Sequence, residues 1–165
     1  MMVSVHAAVG ITSSLFFKRK LDDSISKKKV YAVSFASNIA LHGIMDLLPH
    51  RHPISGYLDV IISLSTIVIL LLIKRKYRIL ILFCWLGAVM SDIIDLGLFR
   101  LLQLGRFRIF PWHYDPVYHF LNTMYKSSFM NMMFDIGLLA LCVILVLLNR
   151  KTTLRILKRF PSHNP

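Results

Sequence analysis

Glutamate is missing from this 165-residue chain, and all eight acidic residues are aspartate. Cysteine is nearly as scarce. Cys84 and Cys142 stand alone without a CxxC spacing, which points to packing residues rather than a disulfide or a thiolate zinc module. No GxSxG, Ser/Lys dyad, Walker loop or glycine-rich dinucleotide turn occurs, so nucleophilic serine chemistry and nucleotide binding are unsupported. There is no RNA or DNA module, no internal repeat and no low-complexity tract. Long runs of mixed polar sequence are also few, and that absence argues against an ordinary soluble domain.

What is present is apolar. Hydrophobic residues make up 56% of the chain, and the mean hydropathy is +0.61. The apolar residues fall into runs near 1–17, 30–49, 54–73, 79–99 and 127–149. Their lengths predict an all-α, polytopic helical bundle of about five membrane spans in one domain. Positive charge follows the first run instead of preceding it, so that run reads as a retained helix and not a cleaved leader. The aromatic-rich stretch 100–126 reads as an interfacial amphipathic segment, and 150–165 as a basic tail.

A net charge of +12 in a soluble chain would suggest nucleic acid. Here the basic residues cluster between apolar runs, as at membrane boundaries. The expected partner is membrane lipid, with no nucleic acid, and a second copy or another membrane protein would suit so small a bundle. Lys and Arg number six between the first two runs, four in "KRKYR" and five in the tail, against five in the opposite loops. The positive-inside rule therefore places the N-terminus outside and the tail in the cytoplasm of a multi-pass cell-membrane protein.

On that topology the ionisable residues gather at the outer end. The stretch "LHGIMDLLPH" carries His42, Asp46 and His50 four residues apart, on one helical face. His6, Asp92, Asp95, His113, Asp115 and His119 fall at the same level. Ionisable groups at membrane depth are costly unless paired, hydrated or metal-bound, and imidazole with carboxylate suits zinc, manganese or iron. The candidate metal ligands are His6, His42, Asp46, His50, Asp92, His113 and His119. Asp95 or Asp115 is the candidate general base, or the group that holds a ligand His in its tautomer. Arg100, Arg106 and Arg108 have the fork geometry to bind a phosphate headgroup.

The H-x3-D-x2-P-H spacing of "LHGIMDLLPH" resembles a signature of small uncharacterised integral membrane proteins. Their pattern continues with an early His, matched by His6, then a segment matched by "GAVMSDIID", and a His-containing element matched by "HYDPVYH". Ser91 stands where that pattern has proline. The set is also similar to the predicted membrane-bound metal-dependent hydrolases and, more distantly, to zinc-dependent phospholipase C proteins. The resemblance implies a helical fold and a metal held by His and Asp. The expected function is hydrolysis of a lipid-like phosphoester or ester near the outer leaflet, with a divalent metal, zinc first. The alternatives are a non-catalytic membrane subunit with a structural polar network, and a metal or proton transporter.

Overall fold

The computed structural model describes residues 3–23, 26–48, 56–73, 75–103, 108–114, 117, 120 and 128–159. All regular structure among them is helical. Helix α1 is Val3–Asp23, α2 is Lys27–Asp46 and α3 is Gly56–Ile73. Helix α4, Arg78–Asp92, continues through a π-helical stretch, Ile93–Leu98, into a last α turn, Phe99–Leu101. A 3₁₀ turn, Pro111–His113, precedes α5, Ser128–Arg159. The helices differ from the apolar runs mostly at the basic end. There α1 continues past Phe17 to Asp23, and α5 past Asn149 into the tail. Hydropathy marks where a chain leaves an apolar medium, whereas Lys and Arg are good helix formers and suit a helix C-terminus.

Asp59 of α3 bonds the start of α1, Val5 and Met45 pack with Phe134 of α5, and Asp92 of α4 meets His42 of α2. The starts of α1, α3 and α5 therefore share one end of the bundle with the ends of α2 and α4. Helix α1 touches all four others, α4 packs on α1, α2 and α3, and α5 lies against α1. Two close approaches occur at glycine. A Cβ on Gly10 would lie 2.9 Å from the Cys84 carbonyl oxygen, and one on Gly87 would lie 2.9 Å from the Asn38 Cβ. Backbones this close are the small-residue packing typical of membrane bundles.

The helices bury polar stripes. Val30, Ser34, Asn38, His42 and Asp46 recur every fourth residue of α2 and are all buried. The buried positions of α3 are Asp59, Ser63 and Ile67, and those of α5 include Asn131, Asp135 and Cys142. The outer faces are apolar: Leu58, Ile61, Ile62, Val68, Ile69 and Leu72 on α3, and Phe129, Ile136, Val143, Ile144 and Leu147 on α5, are all exposed. Exposed Thr66 donates its hydroxyl to the Ile62 carbonyl of its own helix at 2.8 Å, a device that keeps a polar group satisfied in apolar surroundings. Among the described residues one helix, over Phe129–Asn149, is long and apolar enough to cross a membrane, and Gly56–Leu72 is a shorter apolar helix.

Two contacts pin the ends. At the basic end, Tyr77 donates to Asp22 at 2.9 Å and Lys76 Nζ lies 3.1 Å from the same carboxylate. The hydroxyl and then the ammonium hold the Asp22 carboxyl below its ordinary range. At the polar end, Asp59 accepts the backbone N–H of Val3 at 2.5 Å and of Ser4 at 3.0 Å, so a carboxylate from α3 caps α1. That cap satisfies orphan donors and opposes the positive helix terminus. Asp59→Ala is expected to destabilise the fold by about 1–3 kcal/mol, measured by chemical unfolding in detergent.

Candidate metal centre

The polar end of the bundle holds a set of side chains from four parts of the chain. His6 comes from α1, His42 and Asp46 from one face of α2, Asp92 from the end of α4 and His113 from the 3₁₀ turn. His42 Nε2 lies 2.9 Å from Asp46 Oδ2 and 3.6 Å from Asp92 Oδ1. His113 Nε2 lies 3.1 Å from Asp46 Oδ2 and 3.3 Å from Asp92 Oδ1. One ligand atom from each of these four residues falls within 4.8 Å of every other, so the group could hold a metal ion. A tetrahedral ion with zinc-like bonds spaces its ligand atoms about 3.3–3.6 Å apart, close to the four distances above.

Each imidazole is oriented through its far nitrogen. His42 Nδ1 sits 2.5 Å from the Ala88 carbonyl oxygen. Only a donor pairs with a carbonyl, so Nδ1 carries a proton and Nε2 is the nitrogen turned toward the two carboxylates. His113 Nδ1 lies 3.0 Å from Asp95 Oδ2. Asp95 is itself fixed, fully buried, by the backbone N–H of Ile109 at 2.9 Å and of Phe110 at 3.0 Å. Such outer partners set the tautomer and basicity of metal-ligating histidines.

The fit is tested by what the site lacks as a hydrogen-bond network. His42 Nε2 is fully buried and, at 2.9 Å from a carboxylate oxygen, makes no well-directed hydrogen bond among the described residues. An Nε2 lone pair facing carboxylate oxygens is repulsive unless a cation lies between them, so a metal-free site has to protonate the ring. His113 differs, since its Nε2 bonds Asp46 at 3.1 Å and its Nδ1 bonds Asp95 at 3.0 Å. Burial pulls its imidazole down, but hydrogen bonds to Asp46 and Asp92, the Asp92 charge and the Asp95 bond outweigh it and push the ring up to about 10. The site is electronegative, and its two imidazoles and two carboxylates are a donor set that could hold a metal ion.

Local sequence explains the placement. The i,i+4 spacing aligns His42 with Asp46. The π-helical stretch begins immediately after Asp92 and contains Asp95, a distortion often found at functional sites. Pro111 opens the turn that presents His113. Gly43 leaves room for Trp112, since a Cβ there would lie 2.6 Å from the indole ring. Trp112 in turn packs beside His42 with ring centroids 6.2 Å apart.

Comparison with known proteins found no matching family model, curated protein or solved structure.

Of the residues singled out from sequence, the structure brings together His6, His42, Asp46, Asp92 and His113, with Asp95 behind His113. His50, Arg106, Asp115 and His119 lie outside the described residues, as does the side chain of Arg100. Arg108 is half-buried, next to the Ile109 amide that binds Asp95. Missed by sequence reasoning were the Ala88 carbonyl, Trp112 seated on Gly43, and a neutral cluster farther along the bundle. In that cluster Ser13 donates to Asn38 at 3.0 Å and Asn38 to the Ser34 carbonyl at 2.7 Å. The four-residue spacing of Ser34, Asn38 and His42 was the available signal.

Proposed function

We propose that this chain is a five-span membrane protein whose metal centre, at the outer leaflet, hydrolyses a phosphoester or ester bond of a lipid-like substrate. The carrying observation is the meeting of His42 Nε2, His113 Nε2, Asp46 Oδ2 and Asp92 Oδ1 at metal-ligand spacing. The inside-out distribution of polarity supports immersion of the whole bundle, because buried polar stripes with apolar outer faces are stable where lipid, not water, surrounds them. The excess of Lys and Arg on the loops at the other end supports an N-terminus outside and the tail in the cytoplasm.

A divalent ion in such a centre lowers the pKa of bound water and polarises the scissile group. The chain's own residues supply the rest. His42 and His113 are locked by Ala88 and Asp95, so neither ring has to reorganise when it binds. Arg100, Arg106 and Arg108 follow the π-helical stretch or the connection after it, where guanidinium groups suit a phosphate headgroup. Transport finds less support, since the cluster beyond the site, Ser13, Ser34 and Asn38, is neutral and bonded within itself.

The test is elemental analysis of protein purified in detergent without chelator, followed by a lipid phosphoesterase assay. Stoichiometric zinc, manganese or iron is expected, lost in His42→Ala and Asp92→Ala together with hydrolysis. Metal-free wild-type protein would overturn the proposal and leave a structural polar network.

A further inference from the structure

The centre described above does not use His6, although His6 is 1% exposed and lies at its edge. Its ring stacks on that of His42 with centroids 3.9 Å apart and planes 19° from parallel. Its Nε2 lies 3.1 Å from Asp46 Oδ1, whereas His42 and His113 face Oδ2 of the same carboxylate. Neither ring nitrogen of His6 makes a well-directed hydrogen bond among the described residues. A buried imidazole with both nitrogens unserved is costly in any medium and most of all in lipid.

These facts have a common geometric reading. Two nearly parallel imidazoles each turn Nε2 toward a different oxygen of one carboxylate. Cations placed along the two nitrogen directions would be separated by roughly the ring spacing. That spacing matches the approximately 3.5–4 Å between ions in two-metal hydrolytic sites. Stacking at 3.9 Å also disfavours two protonated rings, whose charges would repel directly. Neutral imidazole is the form that binds a metal.

We infer that His6 Nε2 and Asp46 Oδ1 hold a second divalent cation, so that Asp46 bridges a two-ion centre. This rests on the metal-centre reading above and adds to it. The second position has fewer protein ligands than the first, which leaves coordination open to water and to a substrate oxygen. It is therefore the exchangeable ion, the one that meets substrate and binds more weakly. His42, His113 and Asp92 hold the tighter partner.

Mn²⁺ titration of the metal-free, full-length protein in detergent, read by bound-ion stoichiometry and electron paramagnetic resonance, tests the inference. Wild type is expected to bind two ions per chain with an exchange-coupled spectrum. His6→Ala and the longer His6→Gln are expected to bind one, with the six-line pattern of an isolated ion. One uncoupled ion in wild type would overturn the two-ion centre while leaving the single centre intact. No bound ion would overturn both, and two ions retained in a folded His6 variant would overturn the role of His6. The wild-type spectrum decides the question even if both variants fail to fold.

Discussion

Asp46→Ala is expected to abolish metal binding, weakening affinity by more than about 100-fold, the upper range seen for loss of a partner outside the ligand set. Asp46 is the carboxylate that all three histidines of the centre face. Asp46 lies 3.1 Å from His6, 2.9 Å from His42 and 3.1 Å from His113. Removing it withdraws a ligand atom and leaves Asp92 alone to face Nε2 of His42 and His113. Asp46→Asn separates these effects, since it keeps the volume and one oxygen while removing the charge. If charge is what holds the ion, Asp46→Asn binds as poorly as Asp46→Ala but unfolds at higher denaturant. Elemental analysis beside chemical unfolding of the three proteins checks this. A folded Asp46→Ala protein with full metal content would remove Asp46 from the centre.

The second large effect is expected at a position that touches no ligand. Gly87→Ala would place a methyl group against the Phe35 carbonyl oxygen, 2.9 Å from the Asn38 Cβ and 3.1 Å from the Phe35 carbonyl carbon. Most of that obstruction is backbone, which cannot rotate away, so α2 and α4 must separate. Overpacking of this kind costs about 1–3 kcal/mol. The shift also carries a functional penalty, because His42 lies one turn beyond Asn38 on α2 and Asp92 lies beyond Gly87 on α4. Widening the helix pair lengthens the 3.6 Å separation of His42 and Asp92. We expect both a lower unfolding midpoint and weaker metal binding. Gly137→Ala on α5, where a Cβ meets nothing within 4 Å, is the control. It should change neither, apart from about 1 kcal/mol of helix stabilisation.

Much of the architecture was legible because hydropathy is local. Runs of apolar residues bounded by basic clusters located all five helices. The helix ends were less legible: α1 runs on to Asp23 and α5 to Arg159, since Lys- and Arg-rich sequence remains helical after it ceases to be apolar. The π-helical stretch was invisible. "IIDLGL" has ordinary helical spacing, and nothing in its composition announces a wider turn.

The candidate site divides along the same line. Sequence alone determined that His42 and Asp46 share a face, because helical periodicity is a property of the local chain. It also placed His6, Asp92, Asp95 and His113 at one end of the bundle, because antiparallel connectivity follows from the order of runs and loops. Tertiary structure alone decided which of them meet. It assigned Asp95 to orient His113, gave Asp46 Oδ1 to His6, and set the Ala88 carbonyl behind His42. Those pairings span 18, 40 and 46 residues of chain, and no periodicity reaches that far. They depend on how closely Gly10 and Gly87 let the helices approach, which is a matter of packing in three dimensions and not of pattern along the chain.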